Sequence, residues 1–144
     1  MDHKTRLKIS LLLMRLSVFA VMLVWTLDKF LRPEHAASVY RNFYFIDGLG
    51  NVFMYVIGSV ELIIIVLFLA GIMKRFTYGL TLVLHGISTL SSFKQYFNPY
   101  DGSNILFYAA WPMLAACVAL YVLRDEDTLL SFTKQPKPKK VAGA

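Results

Sequence analysis

The chain has 144 residues, one domain's worth, of which 57% are hydrophobic and 17% charged, with a net charge of +6 and a pI near 9.5. The charged share falls below the ~25% usual in soluble domains. The deficit lies in four long apolar runs, which excludes a soluble four-helix bundle with polar outer faces. The basic residues sit at the ends of those runs, so they read as topology determinants at an anionic membrane surface and not as a nucleic-acid footprint.

The first run covers residues 9–27 and is interrupted only by Arg15. It is too long for a signal peptide, and no Ala-x-Ala-like site precedes Asp28-Lys29, so a retained helix is expected. The connection over residues 28–50 is long enough for structure of its own. Pro33 suits the first turn of a helix, and no breaker follows through residue 45. The cluster of Tyr40, Phe43, Tyr44 and Phe45 suits a short helix lying in the membrane interface. Asp47-Gly48 and Gly50 then turn the chain.

The second run covers residues 51–73, enough to cross a ~30 Å hydrocarbon core at 1.5 Å per residue. Glu61 is its only acidic or basic side chain of the Asp, Glu, Lys, Arg or His type. A carboxyl group at that depth costs roughly 2.5–3.5 kcal/mol on insertion scales, so it faces protein or water and not lipid. Two readings remain open for it, a functional group and a hydrogen-bonded packing residue. The third run covers residues 76–93. The fourth covers residues 104–123, is expected to kink at Pro112, and stops at Arg124-Asp125-Glu126-Asp127. Residues 128–144 form a Lys- and Pro-rich tail, expected to be disordered and drawn to anionic lipid.

Orientation follows from the lysines and arginines. Ten of the 15 lie in the amino terminus, the second connection and the tail; the other two connections hold Lys29, Arg32, Arg41 and Lys94. With four spans those ten fall on one side, which the positive-inside rule makes cytoplasmic. The expected fold is therefore all-α: a polytopic membrane four-helix bundle over residues 1–127, both termini cytoplasmic, with a short interfacial helix in the first external loop.

On the third run Tyr78, Thr81, His85, Ser88, Thr89 and Ser92 form one polar stripe, suited to a helix contact or a water-accessible cavity. His85 is either a satisfied core histidine or a proton carrier, because an imidazole exchanges protons near neutral pH. Arg15, Phe19, Met22, Thr26 and Lys29 share a face of the first helix. At 1.5 Å per residue from the cytoplasmic end, Arg15 lies roughly 9 Å deep, His85 roughly 14 Å and Glu61 roughly 18 Å. Glu61 and His85 are thus the candidate proton-handling pair. A direct Arg15–Glu61 bridge is disfavoured, since side chains lean toward their helix's amino end and these two lean apart. Arg15 can instead snorkel to headgroups.

Of the 21 aromatic residues, 15 fall in the outer half or outside. They form either an interfacial belt or a vestibule that stacks a flat ring or docks a partner. Trp25, Tyr44 and Trp111, with Arg15 and Lys29, are the candidate ligand contacts. Cys117 is the sole cysteine, which excludes a thiol–disulfide relay within the chain and reads as a small core residue. His3 and His35 are isolated and read as solvated. No metal-ligand spacing is present, and no Ser/His/Asp arrangement or phosphate loop.

Arg15 in the first span, Lys29 just beyond it, Glu61 in the second, and then an apolar run to Gly71 followed by the basic pair Lys74-Arg75 resemble the DoxX-like family of small four-helix membrane proteins. The likeness covers residues 15–90. The external insertion and the tail lie outside it. The resemblance implies a bacterial or archaeal cytoplasmic membrane and a redox or quinone-linked process. A quinone is then the candidate cofactor, with a partner redox protein and membrane lipids as partners. Two alternatives are a non-enzymatic assembly or scaffold subunit and an oligomeric small-solute carrier.

Overall fold

The computed structural model describes residues 1–133, and every regular element among them is helical. Helix α1 (His3–Leu31) starts where Asp2 accepts a 3.0 Å hydrogen bond from the Thr5 amide. That bond holds the Asp2 carboxyl below its usual range. The helix outruns its apolar stretch at both ends, because nothing breaks it before Pro33. Helix α2 (Pro33–Tyr44) carries Pro33 in its first turn, as expected. It closes on Phe45 in the left-handed region, φ 59°, with the Lys94 ammonium 5.0 Å from the Phe45 ring centroid.

Helix α3 (Asn51–Leu69) ends four residues before the apolar run does. Gly71 adopts φ +63°, and a Schellman cap forms: Gly71 N donates to Phe68 O and Ile72 N to Leu67 O, both at 3.0 Å. The left-handed residue stops the helix where hydropathy alone continues it. Helix α4 (Lys74–Ser91) then begins on the basic pair, which is a first helical turn and not a loop. Helix α5 (Phe93–Phe97) is a single short piece.

The last apolar run divides into a 3-10 segment, Asn104–Ala109, and helix α6 (Ala110–Val122). The expected mid-helix kink at Pro112 is corrected by this division. Pro112 lies in the first turn of α6, where its missing N–H would have had no intrahelical acceptor.

Three of these segments, α1, α3 and residues 104–122, are long and apolar enough to cross a membrane. Helix α4 is of similar length but carries Lys74, Arg75 and the polar stripe. The four long helices pack in a ring: α1 against α3 and α6, and α4 against the same two. Leu11, Val18, Phe68, Tyr78, Cys117 and Leu120 form the core, with Phe68 and Tyr78 edge-on at 4.8 Å. The stripe on α4 turns inward, with Tyr78, Thr81, His85, Thr89 and Ser92 all buried.

The tail expectation is corrected over residues 128–133. This stretch lies against the α3–α4 turn, with Phe132 N donating to Ala70 O at 3.0 Å and Ser131 Oγ to Gly71 O at 3.2 Å. Left-handed capping leaves the Ala70 and Gly71 carbonyls without helical partners, and the returning chain supplies donors. The Lys- and Pro-rich remainder, 134–144, lies outside the described residues.

Candidate functional site

Two polar centres occupy opposite ends of the ring. At the α2 end, Lys29 Nζ lies 2.8 Å from Glu61 Oε2, with the two side chains only 10% and 13% exposed. Thr26 Oγ1, fully buried, donates to the same carboxylate oxygen at 3.3 Å. Lys29 Nζ also donates to Trp25 O at 3.3 Å and stands 5.8 Å from the Tyr40 ring centroid. Helix α2 thereby covers the pair. Burial, and then the Glu61 charge, push the Tyr40 phenol well above its usual range, so it remains a neutral donor.

Side-chain direction explains this partnership. Lys29 lies near the carboxyl end of α1 and leans back along it; Glu61, on the antiparallel α3, leans toward the α2 end. The two therefore converge, one nearly four turns of α1 beyond Arg15. Gly58 lets the helices approach, because a Cβ there would lie 2.9 Å from Phe30 Cε2 and 3.1 Å from Lys29 Cβ. The disfavoured Arg15–Glu61 bridge is absent, as that directional argument requires.

Arg15 instead anchors the opposite end. Its Nη1 donates to Tyr78 OH at 3.2 Å and lies 3.5 Å from Asp127 Oδ2. The Tyr78 hydroxyl donates to the same Asp127 oxygen at 2.7 Å. Arg15 Nη2 donates to the Leu129 and Leu130 carbonyls, and Lys74 Nζ to the Asp127 carbonyl. Arg15 and Asp127 are both fully buried. The snorkelling alternative is thus corrected, since the guanidinium is sealed under the returning chain. The sequence offers one signal for it: an acidic run stops the fourth apolar stretch, and one of its carboxylates has a buried cation within reach.

His85 joins neither centre. Its Nε2 lies 3.0 Å from Ala110 O and 3.3 Å from Thr89 Oγ1, at the α4–α6 contact. Glu61 and His85 share no hydrogen-bond partner among the described residues. His35 is exposed, as read from sequence, but not isolated: its Nδ1 lies 2.6 Å from Asp28 Oδ2, and Arg32 Nη2 lies 2.6 Å from Asp28 Oδ1.

Of the aromatic candidates, Trp111 packs on Tyr96 at 5.6 Å and Tyr44 on Tyr40 at 5.0 Å. Phe43 stacks on Phe107 at 5.7 Å. The first two pairs are tilted and the third is stacked. Trp25 and Trp111 stay 54% and 45% exposed. Chemically, the α2 end offers a buried carboxylate, an ammonium and a neutral phenol in one place, a set able to hold and pass a proton. The opposite end offers a buried lock, in which Arg15 Nε and Asp127 Oδ1 keep no hydrogen-bond partner among the described residues. No protein-family model matches the chain, and no curated protein or solved structure does either.

Proposed function

We propose that the chain is a four-span protein of a bacterial or archaeal cytoplasmic membrane, both termini cytoplasmic, serving a redox or quinone-linked process. Its proton-handling centre is the Lys29–Glu61 pair. The observation that carries this reading is the 2.8 Å contact itself: an ion pair set into an apolar helix, shielded by α2, and next to a neutral phenol. An ion pair in such a place is costly to desolvate and often no more stabilising than a well-packed apolar pair, which argues for a use beyond packing. When Glu61 takes a proton its hold on Lys29 weakens, and the freed ammonium becomes available to an anion or a carbonyl oxygen. A quinone ring head fits that chemistry, with electrons coming from a partner redox protein. The resemblance to DoxX-like proteins supports the same assignment on Arg15, Lys29, Glu61 and Gly71.

His85 serves in this reading as a structural residue of the α4–α6 contact, with its Nε2 committed to a carbonyl and a hydroxyl. The second reading, an assembly or scaffold subunit, is favoured by the aromatic rings that pack on one another. The test combines two measurements. Mass spectrometry of gently purified protein is expected to find a co-purifying quinone or other ring compound, and Glu61→Gln is expected to insert normally yet lose the phenotype of a deletion strain's complementation. Full complementation by Glu61→Gln, with only a protein partner recovered, would sink the proton-handling reading.

A further inference from the structure

The returning chain after α6 has two unlike faces. Ser131 Oγ and Thr133 Oγ1 both donate to the Gly71 carbonyl, while the Phe132 amide donates to Ala70 O. The hydroxyl side chains thus face the protein. Between and beside them Leu130 and Phe132 face away, 77% and 78% exposed. The segment is a turn followed by irregular chain, with polar contacts on one side and large apolar groups on the other. Leu130 takes φ +48°, a conformation rarely adopted by a leucine. The turn brings its carbonyl onto Arg15 while its side chain is left outside.

Large apolar groups held this far out by a pinned backbone need a cover. Met73 and Phe76, on the turn and helix beside the segment, are likewise 58% and 63% exposed. The charge pattern says what the cover is. Arg75 lies within this region, and Lys134, Lys137, Lys139 and Lys140 follow directly in sequence. Apolar side chains flanked by a dense run of lysines are the signature of a segment lying in an anionic lipid interface.

We propose that residues 128–133 form an interfacial strap: Leu130 and Phe132 insert into the anionic inner leaflet while the strap's backbone seals Arg15 and Asp127. The bilayer thereby holds the lock closed from outside, and the lock holds the two side chains at one depth. The proposal rests on the reading of this end as cytoplasmic and membrane-bounded.

Site-directed spin labelling tests it on the full chain in lipid nanodiscs, in a Cys117→Ala background. Nitroxides are placed one at a time at Leu130→Cys, Phe132→Cys, Ile63→Cys and Ser103→Cys. In discs containing phosphatidylglycerol, the ratio of oxygen to nickel-chelate accessibility at 130 and 132 is expected to stand several-fold above that at 103. It is expected to fall toward the value at 103 in purely zwitterionic discs. Nickel access at 130 and 132 equal to that at 103, with the label at 63 lipid-shielded, would overturn the strap and leave the membrane reading intact. A ratio at 130 and 132 that is high but identical in both lipids would overturn the anionic interface. Nickel access at 63 as well would overturn the membrane reading and the strap with it.

Discussion

Glu61 is read by its partners. A carboxylate that shares one oxygen between an ammonium at 2.8 Å and a hydroxyl at 3.3 Å leaves the Lys29 charge unpaired, with only the Trp25 carbonyl as acceptor, if it is removed. Glu61→Leu is therefore expected to lower stability by about 3 kcal/mol, the range for breaking one half of a buried pair. Replacing both partners, Lys29→Leu with Glu61→Leu, removes the stranded charge together with the carboxylate. The double variant is expected to recover most of the loss, as apolar replacements of buried ion pairs commonly do. Thermal unfolding in detergent checks this; a double variant less stable than Glu61→Leu would show that the pair is a net stabiliser. The alternative of Glu61 as a plain packing residue was open in the sequence because nothing local names its partner. Lys29 is 32 residues away in the chain, and only the antiparallel run of α1 and α3 makes them neighbours.

At the scale of elements, the α3–α4 turn decides most. The apolar run continues to Met73, yet the helix stops at Leu69, because Gly71 provides the left-handed residue a Schellman cap needs. Gly71 is also crowded: a Cβ there would lie 2.6 Å from Ser131 Oγ and 2.8 Å from Arg15 Nη1. Gly71→Ala is expected to cost about 1–2 kcal/mol from the backbone conformation alone. The crowding should in addition push residues 128–133 off the turn. Hydrogen exchange at the Phe132 amide is the readout. Unchanged protection there would mean that the strap adjusts without leaving its carbonyl partner. The glycine was visible in the sequence near the end of the apolar run, but its physical reason was not, since both atoms it must avoid come from distant segments. Helix α2 shows the opposite case. Pro33 at its start and an unbroken stretch after it were local signals, and the helix forms where they said.

For the whole molecule, the testable quantity is topology. In the four-span arrangement, a Ser103→Cys variant is expected to react with a membrane-impermeant maleimide from outside intact cells, and Lys4→Cys only after permeabilisation. Labelling of Lys4→Cys in intact cells would overturn cytoplasmic termini. The outcome at residue 103 turns on α4, the helix with the weakest claim to a span. Three segments are apolar and long enough by themselves, whereas α4 hides Tyr78, Thr81, His85, Thr89 and Ser92 inside the ring and shows Leu80, Val83, Ile87 and Leu90 outside. Its amphipathic face fits a helix whose polar side is consumed by protein contacts.

Composition and periodicity determined by themselves that the chain is helical, that three of its apolar segments are long enough to cross a membrane, and that a polar stripe on the third run turns inward. These properties depend on residues near one another in the chain, where spacing of 3.6 per turn and Gly or Pro punctuation act directly. Tertiary structure alone decided the pairings. Glu61 found Lys29 and left Arg15 to Asp127; His85 went to a backbone carbonyl of α6, and residues 128–133 turned back onto Gly71. A buried charge takes whichever opposite charge the helix directions and lengths bring within about 3 Å, because desolvation makes an unpaired one too costly. That choice depends on the geometry of several segments at once, and no window of sequence contains it.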